Sequence, residues 1–428
     1  MASARAHGIA LLIAVSLLGT RAIGAIAAPA QADPAPQQTA AVAASSQLAT
    51  RGAFAGDEAC RTCHQNKFDS YHKTAHHLTS RPPSAQSISG KFTPGSNTME
   101  TIDPSLHFQM EARPSGFYQT AVIGDPPHAK LHSARIDIVV GSGTKGQTYL
   151  SWRGNALFQL PVSYWVDLGQ WVNSPGYLDG TANFDRPIPP RCLECHATYI
   201  KAVSDSPFEN HYFADTLMVG ISCERCHGPG RAHVEKYRAL EGPGPASATP
   251  GANSGTAIDS DEAGNSTIVN PANLPRDRAM DVCGQCHGGL GEPVTPAFTY
   301  TPGEPLAEHI KLQVPDPSVK IDVHGNQVEL LERSKCYQSS ATMTCATCHD
   351  VHARERPAAS YSTTCLTCHK AENCGMYPKL GSAIAANCID CHMPVQQSNL
   401  IVSDSDAHVV RARVRNHWIK VYPPAVMP

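Results

Sequence analysis

The chain has 428 residues, a formal net charge of −3 and only 6% aromatic residues. Because no long basic or acidic run is present, neither a nucleic-acid partner nor an anionic membrane surface is indicated. A core short of Phe and Trp needs another apolar filler, and the 16 cysteines and 21 histidines are the most distinctive feature of the composition.

Residues 1–32 are predicted to form a signal peptide. Arg5 precedes an apolar run from Ile9 to Leu18, and small-residue cleavage sites follow it, which is the pattern of an export signal. The alternative, a membrane anchor, needs about 20 apolar residues, and Arg21 interrupts this run well before that length. We therefore expect a periplasmic or otherwise exported protein that does not span the membrane after cleavage, with a flexible lead-in at residues 33–52.

The segment 53–79 carries the first Cys-x-x-Cys-His motif, at Cys60, Cys63 and His64. This pattern is typical of c-type haem attachment, in which the two cysteines form thioether bonds and the histidine is an axial iron ligand. His76 follows closely and is the candidate distal ligand of this segment, with His77 and His72 as alternatives.

Residues 80–190 contain no cysteine and are predicted to form a β-containing subdomain packed on the first haem. Two β-prone runs between Arg135 and Trp152 flank a Gly-Ser-Gly-Thr-Lys-Gly turn, which predicts a hairpin. An aromatic-rich stretch, YWVDLGQWVNSPGY, comes next.

Residues 191–428 are predicted to form a hexahaem core, with a flexible Gly/Pro/Ala/Ser-rich loop at 241–266. Six further motifs lie here: Cys192, Cys195 and His196; Cys223, Cys226 and His227; Cys283, Cys286 and His287; Cys345, Cys348 and His349; Cys365, Cys368 and His369; and Cys388, Cys391 and His392. A zinc site would not need a histidine after every second cysteine. The sequence thus predicts seven covalently attached haem c groups, whose porphyrin rings would also fill the core.

If each motif histidine binds one haem iron, each of the seven irons has one further coordination position that needs a ligand. His352 lies three residues after His349, on the same side of a helical turn, so as a ligand it would bind a neighbouring haem. His233 follows the third motif in a similar way, and His324 and His417 lie in haem-free stretches.

With His76 these make five candidates for seven positions, so one or two haems are expected to have another ligand or none. The other histidines outside the motifs divide into an undecided group, His107, His211 and His309, and an expected surface group, His128, His132 and His408. Met343 and Met393 are interpreted as packing residues rather than ligands.

Cys336 and Cys374 lie outside the motifs and flank the densest motif pair. In an exported protein a leftover pair of cysteines is expected to form a disulfide. A thiolate ligand or a redox-active thiol is the alternative.

The chain resembles the multihaem cytochromes grouped around cytochrome c-554, hydroxylamine oxidoreductase and the pentahaem nitrite reductases. The resemblance rests on CERCHGPGRAH at 223–233, MTCATCHDVH at 343–352, CLTCHK at 365–370, and CIDCHMP at 388–394 with the later RNHWI. It implies a mostly helical fold with closely stacked haems, and distal-ligand roles for His233, His352 and His417. The nitrite reductases have Lys in place of the motif histidine at the active haem, whereas all seven motifs here end in His.

The sequence therefore predicts a mainly α fold with much irregular structure, a multihaem cytochrome c core and a smaller β-containing subdomain. The predicted function is electron transfer between redox partner proteins, either other cytochromes or membrane quinol-linked complexes, through mostly bis-histidine haems. The alternative is a haem enzyme in which one open-coordination haem oxidises or reduces a small nitrogen or sulfur compound. The oligomeric state stays open.

Overall fold

The computed structural model describes residues 51–241, 267–312, 320–405 and 408–423. The predicted signal peptide at 1–32, nearly all of the lead-in at 33–52 and all but the first residue of the predicted loop at 241–266 lie outside the described residues.

Most helices are short, because a Cys-x-x-Cys-His motif needs only one helical turn to bring its residues together. The α-helices are α1 (Asp57–Tyr71), α2 (Pro190–Glu194), α3 (Cys223–His227), α4 (Arg231–Glu241), α5 (Arg276–His287), α6 (Gln327–Glu332), α7 (Lys335–Gln338), α8 (Tyr361–Cys365), α9 (Tyr377–Leu380) and α10 (Cys388–His392). Short 3-10 turns lie at Arg51–Ala53, His77–Thr79, Pro271–Asn273, Leu306–Glu308, Cys345–Thr347, Ala358–Ser360, Ala371–Asn373 and Gly381–Ala386.

Strands are as abundant as helices. They are β1 (Ser80–Arg81), β2 (Thr98–Glu100), β3 (Leu106–Arg113), β4 (Gly116–Ile123), β5 (Lys130–Arg135), β6 (Ile138–Val140), β7 (Gly146–Arg153), β8 (Ala156–Gln159), β9 (Val162–Trp165), β10 (Gln170–Asn173), β11 (Arg186–Pro187), β12 (Ala197–Ala202), β13 (Tyr212–Val219), β14 (Glu292–Pro293), β15 (Ile310–Lys311), β16 (Val395–Ser405) and β17 (His408–Arg415).

The predicted mainly α class is wrong, because about 29% of the described residues are helical and about 26% lie in strands. The fold is mixed α/β. Two causes account for the difference: the motifs contribute single turns rather than long helices, and strands also form outside 80–190, in the pairs β12–β13, β14–β15 and β16–β17.

The region 80–190 contains two antiparallel sheets. One has four strands in the order β2-β3-β4-β5; the other has seven, with β1-β6-β7-β8-β11 as its main path and β9 and β10 attached through β7. The predicted hairpin is confirmed, since β6 and β7 pair antiparallel from Ile138 opposite Leu150 to Val140 opposite Thr148. Alternate residues of these strands enter a core around Phe108, which is fully buried.

A second core joins the sheets to the motif segments. Phe54, before the first motif, belongs to the same buried cluster as Leu193 of α2 and Tyr212 of β13. The C-terminal hairpin β16–β17 also reaches the sheets: the Asn173 carbonyl accepts a hydrogen bond from Ser403 Oγ at 2.8 Å. The β region is thereby fixed against chain segments from both ends of the described fold.

Within the described residues, no helix is both long and apolar enough to cross a lipid bilayer.

Candidate haem sites

All seven motifs line one continuous cavity of about 4780 Å³. A site for a single small organic ligand has roughly 300–1000 Å³, so this space suits several large groups rather than one. Each of the fourteen motif cysteines and seven motif histidines contributes to the lining.

The motifs share a one-turn local structure that brings the two cysteines to the same side. In α3 the turn starts after Ser222, whose Oγ accepts a hydrogen bond from the Glu224 backbone N–H at 3.2 Å. A side chain that accepts such a bond at the start of a helix stabilises the first turn. The fifth motif begins with a similar reciprocal cap between Thr344 and Thr347.

The five predicted distal histidines, His76, His233, His324, His352 and His417, also line the cavity. Among the described cavity-lining residues they are the only histidines outside the motifs. The structure thus brings together the histidines that the sequence analysis selected.

Three of these histidines stand opposite a motif histidine from another part of the chain. The ring centroids are 6.1 Å apart for His76 and His287, 6.1 Å for His227 and His352, and 6.3 Å for His349 and His417. Two metal–imidazole bonds of about 2 Å each, with the ring radii added, would place the centroids roughly 6 Å apart. The spacing fits an iron held between each pair.

The other two histidines also lie near motif histidines. Burial, and then the nearby His324, lower the pKa of His196 to about 4. Burial, and then His64, Lys236 and His227, lower the pKa of His233. His324 is therefore near His196, and His233 is near both His64 and His227.

Hydrogen bonds at Nδ1 orient several of the rings. The Nδ1–H of His227 donates to the Val269 carbonyl oxygen at 2.8 Å, and that of His392 donates to the Lys420 carbonyl oxygen at 2.9 Å. Since a carbonyl oxygen only accepts, the tautomer is fixed and Nε2 is left for a metal. Sequence analysis missed these second partners, because they lie in distant segments with no motif of their own.

Three motif histidines, His227, His287 and His349, face a ring from elsewhere in the chain, and His64 and His196 each have another histidine nearby. Within the part of the chain whose side chains are described, His369 and His392 make no ring contact with another imidazole. The sixth and seventh motifs are therefore the candidates for the haems that are expected to have another ligand or none.

The remaining histidines whose side chains are described lie outside the cavity lining. His132 stacks on Phe184 with centroids 4.4 Å apart, and His211 Nδ1 lies 2.8 Å from a Glu209 carboxylate oxygen. The undecided His309 lies 3.0 Å from the Glu304 carboxylate. His72 and His77 form a separate cluster with Asp57.

Thiols from different motifs lie close together in three pairs. Cys60 is near Cys223, Cys195 is near Cys286, and Cys283 is near Cys345. The attachment points of the first and third motifs are therefore neighbours, as are those of the second and fourth motifs and of the fourth and fifth.

The expected disulfide between Cys336 and Cys374 is absent, because both residues are free thiols. Burial is the main cause that raises the pKa of Cys348, Cys365 and Cys391; Cys336 lies near enough to contribute at the first two, and Cys374 at the third. Each leftover cysteine thus lies beside a motif thiol rather than beside the other.

Two known proteins or families are similar to this chain. The family model described as cytochrome c554 and c-prime matches residues 177–228, which contain the second and third motifs. The crystal structure of the outer cell wall cytochrome OcwA has a similar fold, with a TM-score of 0.52 and 17% identity over 86% of this chain and 80% of that one. No curated protein sequence matches the chain. The family match thus covers two of the seven motifs, and the solved structure shares the fold.

Proposed function

We propose, on the premise that the chain is a c-type cytochrome, that it is an exported seven-haem electron carrier acting between redox partner proteins. The observation that carries the proposal is the single cavity, which is lined by all seven motifs and by five further histidines, three of which stand opposite a motif histidine from a different segment. Partners would be other cytochromes or membrane quinol-linked complexes, because c-type cytochromes generally pass electrons to proteins.

The proposed attachment residues are the fourteen motif cysteines, and the proposed iron ligands are the seven motif histidines with five distal ones. Haem c, when bound, supplies an iron centre that gains and loses one electron. The five proposed axial pairs are His64 with His233, His196 with His324, His227 with His352, His287 with His76, and His349 with His417.

The chain's own residues would supply two imidazoles to each of five irons and would hold their rings in place. A second imidazole would leave no position for water or a small ligand, which favours electron transfer over substrate binding. The Nδ1 hydrogen bonds of His227 and His417 to backbone carbonyls set the ring orientation, as the partners of metal-bound histidines usually do.

Distal histidines also tie the motifs to one another. His76 follows the first motif and faces His287 of the fourth, while His352 follows the fifth motif and faces His227 of the third. Together with the three thiol pairs, these contacts keep the attachment points close, which is the arrangement an electron carrier needs.

Haem content and spin state test the proposal. The purified protein should contain seven covalent haems per chain, with mostly low-spin signals in electron paramagnetic resonance. It should accept electrons from a chemical reductant and pass them to an added cytochrome. Three or four haems per chain would overturn the seven-haem assignment.

The proposed export rests on the N-terminal segment and on the similarity to an outer cell wall cytochrome. N-terminal sequencing of the haem-containing protein should find a start near residue 33. A mature protein that begins at Met1 and is recovered from the cytoplasm would contradict export.

A second candidate function is catalysis at an open haem, favoured by the absence of a described imidazole opposite His369 and His392. Such a site would bind a small nitrogen or sulfur compound. Carbon monoxide should then change the spectrum of up to two of the seven reduced haems. A spectrum unchanged by carbon monoxide would exclude this second candidate, and electron transfer would be the one function proposed.

A further inference from the structure

A cluster of three potential ligands lies outside the cavity and takes no part in the proposed haem sites. It consists of Asp57, His72 and His77, whose ligand atoms all lie within 4.8 Å of one another. Asp57 Oδ2 is 3.4 Å from His72 Nε2 and 3.6 Å from His77 Nδ1. Neither histidine lines the cavity.

A break in α1 creates this cluster. His64 has non-helical torsion angles, φ −118° and ψ 36°, in the middle of the element. Because the helix bends there, its first residue, Asp57, comes close to His72, which directly follows its last residue. His77 enters from the next 3-10 turn and stacks on His72 with ring centroids 3.8 Å apart.

The ring nitrogens of the two histidines that face Asp57 make no hydrogen bond. His72 Nε2 and His77 Nδ1 are both buried and neither has a hydrogen-bond partner. A buried polar atom without a partner is costly and usually indicates an ion or water that completes it. The other carboxylate oxygen of Asp57 accepts from the Cys223 backbone N–H at 3.1 Å, which holds the carboxylate in place.

The chemical types of the three groups suit metal binding. Two imidazoles and one carboxylate form a donor set that a divalent transition metal takes.

We propose that Asp57, His72 and His77 bind one divalent cation of the zinc class, with a fourth position open to water. Bonds of about 2.0–2.1 Å in a tetrahedral arrangement separate the ligand atoms by roughly 3.3 Å, close to the 3.4 and 3.6 Å observed. The competing interpretation is a carboxylate and two imidazoles that hold no ion.

Such an ion would join two haem-attachment segments. Asp57 lies three residues before Cys60 of the first motif, and its hydrogen bond reaches Cys223 of the third. The ion would therefore stabilise the junction of these segments without being an electron carrier. The inference does not depend on the proposed redox function.

Zinc binding to the haem-loaded full-length protein tests the site, since zinc is measured separately from haem iron. The protein is stripped with a chelator, dialysed, incubated with zinc chloride and passed through a desalting column, and zinc is counted by mass spectrometry against haem. The wild type should retain about one zinc ion per chain, and loss of one ligand should weaken binding at least about tenfold.

The test variants are His72→Gln and His77→Ala, with His211→Ala as the matched control. His211 also lies beside a carboxylate, that of Glu209, but its side chain is half exposed and belongs to no such cluster. Bound zinc should be lost from the test variants and retained by the control. Added zinc should raise the midpoint temperature of thermal unfolding only in the proteins that bind it. Equal zinc in wild type and His72→Gln, at unchanged haem content, would overturn the site.

Discussion

The rings of His349 and His417 face each other with centroids 6.3 Å apart and planes inclined by 27°. His349 closes the fifth motif, whereas His417 lies in the tail beyond the seventh. His417 Nδ1 donates to the Arg415 carbonyl oxygen at 3.1 Å, which leaves Nε2 free for a metal. The tail is thus expected to complete the coordination of the fifth haem and not of the seventh, which is nearer in sequence.

Replacing His417 with Ala should convert one haem of the seven from low spin to high spin. The thioether bonds to Cys345 and Cys348 do not involve His417, so the covalent haem content should stay unchanged. Electron paramagnetic resonance gives the spin state, and mass spectrometry gives the haem number. His211→Ala, at a half-exposed histidine, is the control and should resemble the wild type; a His417→Ala protein with only the wild-type signals would remove this residue from the ligands.

His352 should act on the haem of the third motif, because its ring lies 6.1 Å from that of His227. His352→Ala and His227→Ala should each alter one haem, and the double variant should still alter only one, because the two residues serve the same iron. The loss of low-spin signal, counted against total haem, measures this. Two altered haems in the double variant would show that the residues serve different irons.

Sequence reasoning selected the candidate ligands but not their pairing. The motif spacing selected fourteen cysteines and seven histidines. Position after a motif or in a haem-free stretch selected the five described histidines that line the cavity outside the motifs. Which rings face each other depends on contacts between distant segments, as for His76 and His287. The cluster of Asp57, His72 and His77 could not be predicted from the sequence either, because it depends on the break of α1 at His64.

The predicted strand content was too low, although the sequence contains a signal for one of the additional strands. Residues 410–415 alternate between small apolar residues and arginine, which is the period of a strand, whereas the sequence analysis assigns them to the haem core and predicts no strand there. Its partner strand, β16, has a register irregularity between Gln397 and Val402 that blurs the same pattern. The alternation in β17 was therefore the signal that could have predicted the hairpin.

Gly90→Ala should destabilise the β region by about 1–3 kcal/mol through overpacking. A Cβ at Gly90 would come within 2.2 Å of the Trp171 ring. The ring cannot easily move away, because its Nε1–H donates to the carbonyl oxygens of Lys91 and Ser96, both at 3.1 Å. Urea unfolding followed by far-ultraviolet circular dichroism measures the change.

Gly375→Ala is the matched control for this substitution. A Cβ there meets no atom within 4 Å and its backbone is not in the left-handed region, so the urea midpoint should stay within experimental error. Equal midpoints for Gly90→Ala and Gly375→Ala would show that the Trp171 ring gives way at little cost.

Glu224→Ala should destabilise the junction between the first and third motifs. The carboxylate, 3% exposed, accepts backbone N–H bonds from Ala55 at 2.7 Å, Gly56 at 2.9 Å and Gly230 at 2.7 Å. Its loss leaves three N–H groups without their acceptor, and one such bond to a charged group contributes about 1.5–3 kcal/mol. We expect a loss of at least about 3 kcal/mol in the free energy of unfolding.

Local hydrogen exchange distinguishes this loss from general instability. Amide protection should fall most at Ala55 and Gly56, whose N–H groups lose their acceptor, while the core around Phe108 keeps its protection. Glu58→Ala is the control, since the Glu58 side chain is 76% exposed and makes only a surface ion pair with Arg61, worth at most about 1 kcal/mol. If Glu224→Ala unfolds at the same urea concentration as Glu58→Ala, the buried carboxylate does not hold this junction.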